Sequence, residues 1–358
     1  MTSWNCPNCG TKEITSKFCP ECGTKRPETD SLSEEKIFEE LLKKAQDGDP
    51  KAQFDTGYAY AYGIGTKKNP NKAFKWFLKA AMQSDTYAQP VGFCYEKGWG
   101  VQQDLEEAAE WYLKAFNFAR ENAEKGDAVA QRDLGEFYVD GFGTEKNPCE
   151  AVKWLRKAAE QGDAEAQAEL GSCLFKGYGT EKNQTEAVEW FKKSAEQNYL
   201  GGEYWLGFCC LNGIGTAENQ PEAVKWLRKA AEKGLHNAQY ELGFCCLNAC
   251  GTEENKNEAF KWFKKAAEKG NVKAENMLGR CYAEGWGTEK NPTAAVRWYR
   301  EAAEHGDSYG QYNLGLSYLN GFDNGWGIEQ NDSFAVEWLK KAAEQGNEEA
   351  YKLLNKLK

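Results

Sequence analysis

Apolar residues recur along this chain at helical spacing, and that recurrence itself repeats. In the segment 163–198, DAEAQAELGSCLFKGYGTEKNQTEAVEWFKKSAEQN, a first helix is predicted with Ala166, Leu170, Cys173 and Leu174 on one face. A second carries Ala187, Trp190, Phe191 and Ala195 in the same way. The loop between them, GTEKNQ at 179–184, returns as GTEKNP at 143–148 and at 287–292, and the step from 143 to 179 is 36 residues. A fixed period of this length signals a repeat architecture. A mid-helix glycine marks the first helix at Gly57, Gly92, Gly135, Gly171, Gly207, Gly243, Gly279 and Gly315. A tryptophan marks the second at Trp76, Trp111, Trp154, Trp190, Trp226, Trp262, Trp298 and Trp338. The pattern predicts eight two-helix repeats. A capping helix over 33–47 opens the array after a Ser31–Glu34 capping box, and a half repeat over 347–358 closes it.

The recurring loop has a structural task. Its glycines allow positive φ at the end of the first helix. Asn147 can cap the second helix, with Pro148 at a position that needs no amide, and Asn69–Pro70 and Asn291–Pro292 repeat this solution. No strand precedes the Gly-x-Gly, so it does not read as a phosphate cradle. Two steps break the period. Trp111 to Trp154 spans seven residues too many, and KAFNFARENAEKG contains no breaker before Gly126, so the second helix of repeat 2 should run about two turns longer than its siblings. Trp298 to Trp338 carries four extra residues in the loop chemistry of GFDNGWG.

The pattern A-x-x-x-L-G-x-x-Y, then G-x-G, then A-x-x-W, then A-A resembles the Sel-one-like repeat family, a relative of the tetratricopeptide repeats. Cys210 and Cys246 depart from it at the tyrosine, and Ala249 at a loop glycine. The resemblance implies an all-α, right-handed α-α superhelical solenoid over 33–358 that scaffolds protein complexes and is not an enzyme.

Composition narrows the picture. The chain has 358 residues, 28 % of them charged, and a net charge of −10, which argues against a broad nucleic-acid surface. The start, MTSWNCPNCG, has no apolar signal region, and no apolar run approaches the roughly 18 residues of a membrane span, so a cytoplasmic location is expected. The 13 cysteines then read as thiols or metal ligands. Cys94, Cys173, Cys209, Cys245 and Cys281 share one slot on the core stripe and read as small buried hydrophobes. The adjacent pairs Cys209–Cys210 and Cys245–Cys246 point about 100° apart on a helix, unsuited to a shared metal or a disulfide. A secreted branch of the family that binds β-lactams has its cysteines in other slots.

Residues 1–24 stand outside the period. CPNCG and CPECG set Cys6, Cys9, Cys19 and Cys22 in two knuckles, the donor set of a structural zinc site. The segment resembles the short zinc ribbons at the head of many bacterial proteins. Iron in a rubredoxin-like site and no metal are the alternatives. Residues 25–32 read as a polar linker.

Catalytic chemistry finds little support. His236 and His305 lie beside inter-repeat turns with no partner motif, and Ser33-x-x-Lys36 sits at a helix start. A zinc-ribbon nucleic-acid adaptor and a weak hydrolase or β-lactam-binding protein are the alternatives to a scaffold. In tetratricopeptide-like solenoids the side of the first helix opposite its core lines the concave groove. Counting Asp163 as position 1, that side holds positions 6, 10 and 13. Repeats 3 and 7 are mostly polar there, with Arg132, Glu136 and Val139, and Asn276, Arg280 and Ala283. Repeats 5, 6 and 8 carry Tyr204, Phe208 and Leu211; Tyr240, Phe244 and Leu247; Tyr312, Leu316 and Leu319, with Trp205 beside the first set. One reading is an apolar groove that holds a partner peptide or helix. The other is burial of these residues against neighbouring helices. Asn212, Asn248 and Asn320 offer either a polar ladder or helix-end capping.

Overall fold

The structure, a computed structural model, describes residues 29–321 and 328–357. Cys6, Cys9, Cys19 and Cys22, and with them the expected zinc ribbon, lie outside the described residues. Among the described residues there are eighteen α-helices, one short 3-10 helix over Asp85–Tyr87 and no strand. The chain divides into two compact units, one ending at Ala151 and one beginning at Val152.

The first unit holds α1 (Thr29–Gln46), α2 (Pro50–Tyr62), α3 (Pro70–Ala81), α4 (Gln89–Lys97), α5 (Leu105–Glu124) and α6 (Ala128–Asp140), each packed on the next. The helix α7 (Pro148–Glu160) contains the boundary. The second unit continues with α8 (Ala164–Lys176), α9 (Gln184–Glu196), α10 (Leu200–Asn212), α11 (Gln220–Glu232), α12 (His236–Asn248), α13 (Lys256–Ala267), α14 (Val272–Glu284), α15 (Pro292–Glu304), α16 (Ser308–Asn320), α17 (Asp332–Glu344) and α18 (Glu348–Lys356).

Local chemistry sets these boundaries. Asn69, Asn147, Asn183, Asn219, Asn255, Asn291 and Asn331 each accept a main-chain N–H of the first turn of a second helix, as Ala294 N to Asn291 Oδ1 at 3.0 Å shows. The first helices end on left-handed residues such as Gly213 at φ 63°. The next glycine, Gly215, is left-handed as well, and a Cβ there would run into the Gln184 carbonyl of the preceding repeat. That contact explains why the loop recurs so closely. Ala249 holds the same left-handed conformation as Gly213, at φ 57° and without glycine's freedom.

The second helix of repeat 2, α5, has 20 residues where the other second helices have 12 or 13. The seven-residue excess is helical, as its breaker-free sequence predicts. Two boundaries differ from the sequence reading. The capping helix α1 begins at Thr29 rather than 33, taking in the end of the expected linker, because no proline or glycine interrupts 28–46. The first helix of repeat 2 is only nine residues long, since Pro90 near its start cannot donate to an earlier turn and a 3-10 turn precedes it.

The residue after each tryptophan proves more central than the tryptophan itself. Phe191 and Phe263 are fully buried, and the mid-helix glycines Gly171 and Gly243 lie directly against their rings. Trp190, Trp226 and Trp262 are buried, but Trp76, Trp111, Trp298 and Trp338 are half-buried. A lysine three residues on covers the open ring face in most repeats, as Lys193 does at 3.7 Å from the Trp190 centroid.

Candidate functional site

The outward side of the first helices was expected to hold the site. In repeat 5 it forms an aromatic cluster. Trp205 stacks on the buried Phe191 ring at 5.6 Å and 11°, and meets Phe175, Tyr204 and Phe208 at 5.3, 5.4 and 5.9 Å. Burial pushes the Tyr204 hydroxyl up to about 12. Leu211, Leu247 and Leu319, at position 13, pack against the core clusters instead of lining a groove. Asn212, Asn248 and Asn320 donate to the carbonyls of Phe208, Phe244 and Leu316 at 2.8, 2.9 and 2.8 Å, so they bond their own helix ends.

An open cleft of about 690 Å³ lies in the second unit across repeats 6 to 8. It brings together three of the sequence-predicted residues, Tyr240, Phe244 and Tyr312. Tyr204, Trp205, Phe208 and Leu316 are not among its lining residues. Phe244 is 39 % exposed, and Tyr309 of repeat 8, which the position rule did not select, is 59 % exposed and lines the same cleft. Repeat 7 supplies polar walls, with Lys273, Asn276 and Arg280, and Asn313 donates to Asn276 Oδ1 at 2.8 Å. Asp307 and Glu349 face them. Burial raises the Asp307 carboxyl, and it raises that of half-buried Glu241 beside Tyr240, where Lys273 acts in the other direction. The cleft therefore offers aromatic faces between a basic and an acidic wall. This arrangement suits an apolar side chain on a segment whose main chain and charges reach both rims.

A second aromatic cleft, in the first unit, was missed. It measures about 420 Å³ and includes Tyr58, Tyr62, Phe93, Trp99 and Phe142. Tyr58 and Tyr62 stack at 5.7 Å, and Tyr112 stacks on Phe142 at 4.5 Å while donating to Glu96 at 2.8 Å. Tyr58 and Phe93 occupy position 10 of repeats 1 and 2, so the same rule applied to those repeats would have found them.

The repeat cysteines behave as buried apolar groups. Cys94, Cys209, Cys245 and Cys281 are fully buried, and desolvation pushes each thiol up to about 12. Thiolate chemistry is disfavoured at such sites. No helix among the described residues is long and apolar enough to cross a membrane.

Known proteins share this architecture. The chain is 35 % identical to a protective antigen present in uropathogenic Escherichia coli strains, with a TM-score of 0.60 over 89 % of this chain and 67 % of that one. It is 34 % identical to a Sel1 repeat protein from Oxalobacter formigenes, with a TM-score of 0.60 over 71 % of this chain and 96 % of that one. A chitin synthase regulator of Saccharomyces cerevisiae is 44 % identical over 55 residues, which are 15 % of this chain and only 8 % of the regulator. The Sel1 repeat model matches residues 50–85, 91–117, 128–163, 164–199, 201–235, 236–271, 272–307 and 308–347, in register with the helix pairs described above, and the chain belongs to the Sel1 repeat family.

Proposed function

We propose that this chain is a non-enzymatic scaffold whose cleft across repeats 6 to 8 holds a peptide or helix of a partner protein by its apolar side chains. The observation that carries the reading is the aromatic lining of an open cleft, with Phe244 of repeat 6 and Tyr309 of repeat 8 left exposed in it. Exposed aromatics grouped in a concavity are the usual anchors of protein recognition. The partner-binding residues are then Tyr240, Phe244, Tyr309 and Tyr312, with the Trp205 cluster stiffening the neighbouring repeat. The test is capture of partners by the intact chain, identified by mass spectrometry, against the double variant Phe244→Ser, Tyr309→Ser. Capture should fall while the melting temperature barely moves, because both side chains are exposed. Unchanged capture would place the partner site elsewhere, and Tyr62→Ser with Phe93→Ser would then test the other cleft.

The N-terminal segment completes the proposal. Four thiolates in two C-x2-C knuckles fit one tetrahedral Zn²⁺, held by Cys6, Cys9, Cys19 and Cys22 as a structural ion. Native mass spectrometry should find one zinc in the intact chain and none in a chain beginning at Ser31, with the helical array folded in both. An intact chain that carries no metal after expression with zinc refutes the assignment.

A further inference from the structure

Seven repeats place a buried Gln or Glu at position 5 of the first helix: Gln53, Gln131, Gln167, Glu203, Gln239, Glu275 and Gln311. The glutamine amide donates back to a main-chain carbonyl, as Gln167 does to Ala159 at 3.0 Å. In three repeats its oxygen accepts from a glutamine at the end of the second helix, whereas the Gln239 oxygen has no such partner and Lys269, thirty residues on, donates to the Gly234 carbonyl instead. Gln83 donates to Gln53, Gln197 to Gln167 and Gln345 to Gln311, at 2.8, 2.9 and 2.9 Å. The contact is thus a rung tying the end of one repeat to its own first helix. In two repeats an acid replaces the glutamine, and in both a base replaces the donor. Lys233 reaches Glu203 at 2.7 Å, and His305 Nδ1 lies 2.9 and 3.1 Å from the two Glu275 oxygens. The Glu275 side chain is only 4 % exposed, and His305 is the base it meets.

Of these donors, histidine alone changes charge near neutral pH. Its rung also lies beside the cleft. Glu275 precedes the wall residue Asn276 on α14, and His305 stands two residues before Asp307, which caps α16 and begins the opposite wall. We propose that Glu275–His305 is a pH-responsive joint: the protonated imidazole holds the turn between α15 and α16, and through it the end of the array, against α14, and its deprotonation loosens that hold. Only the consequence for partner capture rests on the function proposed above; the joint itself needs no partner.

The surrounding charges favour the protonated state. The hydrogen bond and charge of Glu275 on α14 raise the His305 pKa, and Glu301 and Glu304 on its own helix act in the same direction. From α16, Asp307 faces Glu275 with a carboxyl raised by burial, and Lys273 on α14 partly offsets it. The sign follows. A histidine raised above its ordinary value of about 6.5 contributes its stability below that pH and loses it as pH rises through the raised value. Half of the His305 side chain is exposed, which limits the effect to that of a partly screened pair.

The experiment is native-state hydrogen exchange on the full chain between pH 6 and 9, corrected for the intrinsic base-catalysed rate. Amides of α16 and α18 should open about two- to fivefold more readily at the alkaline end, while those of α8 and α9 stay level. The variant Glu275→Gln, His305→Gln recreates the Gln167–Gln197 rung and should flatten the dependence. His305→Lys recreates the Glu203–Lys233 rung and should flatten it too, so a fold defect in either variant leaves the other to decide. Independently, the imidazole NMR signal of His305 should titrate at lower pH in Glu275→Gln. A pH dependence that survives the double glutamine variant, or a His305 titration unmoved by Glu275→Gln, overturns the joint.

Discussion

Replacing Gly171 by alanine would ordinarily strengthen a helix, by about 0.5–1 kcal/mol in the interior. Here it should weaken the protein. A Cβ at Gly171 would stand 2.6 and 2.8 Å from Cε1 and Cδ1 of Phe191, and 3.2 Å from the Ala187 carbonyl oxygen. The Phe191 ring is fully buried and stacked on Trp205 at 5.6 Å, so it has no free direction in which to retreat. Overpacking of this kind costs about 1–3 kcal/mol, enough to exceed the propensity gain and leave a net loss of about 1–2 kcal/mol. The assay is urea unfolding of the four members of a double-mutant cycle with Phe191→Ala. Phe191→Ala alone should cost about 3–5 kcal/mol through its cavity. In that background Gly171→Ala should stabilise by about 0.5–1 kcal/mol, the propensity gain alone, because the new methyl enters the vacated space, giving a coupling of about 1–3 kcal/mol. If Gly171→Ala stabilises the wild-type protein, or costs the same in both backgrounds, the glycine does not serve close packing.

Two further outcomes are expected. Ala249→Gly should raise stability by about 1 kcal/mol in urea unfolding, since it removes a left-handed alanine from a helix end that other repeats close with glycine. Trp190→Ala should cost about 3 kcal/mol, the lower end for a buried tryptophan, because Lys193 rather than core covers one ring face. Its hydrogen-exchange protection should fall first in α8 to α10 and least at the far repeats, as nearest-neighbour coupling requires.

The helix pairs were legible because each boundary is written in residues with strong local preferences. Asn-Pro at a helix start and glycine at a helix end act through their own backbones, so a single sequence displays them. The length of α5 followed from the same logic, since seven residues without a breaker have no reason to leave a helix. What stayed hidden depends on neighbours in space. Nothing in the sequence distinguishes Trp190 from Phe191 as the more central residue; that depends on which side of α9 meets Gly171. The outward positions were only partly readable for the same reason. Position 10 faces outward in repeat 6, where Phe244 is exposed, but position 13 packs against the core cluster, where Leu247 is partly buried. The wheel gives directions around one helix and says nothing of what the neighbouring helices cover.

Repetition supplies a control that a single domain lacks. Most repeats perform one structural task with one set of residues, so a departure is measured against siblings in the same chain. Cys246 where the pattern has tyrosine is a departure of volume, absorbed in a fully buried slot. Ala249 is a departure of conformation, retained at φ 57° by the turn around it. Glu203 and Glu275 are departures of charge, and each is answered thirty residues later by a base. A lone acid in a buried slot would be costly. In both cases the base gives the buried carboxyl a partner, whereas Lys269 in repeat 6 stands opposite the neutral Gln239 and bonds the Gly234 carbonyl instead. The two answers differ in one property, because lysine keeps its charge throughout the neutral range and histidine does not. The rung that received histidine stands next in sequence to cleft-lining residues at both of its ends, Asn276 beside Glu275 and Asp307 two residues after His305.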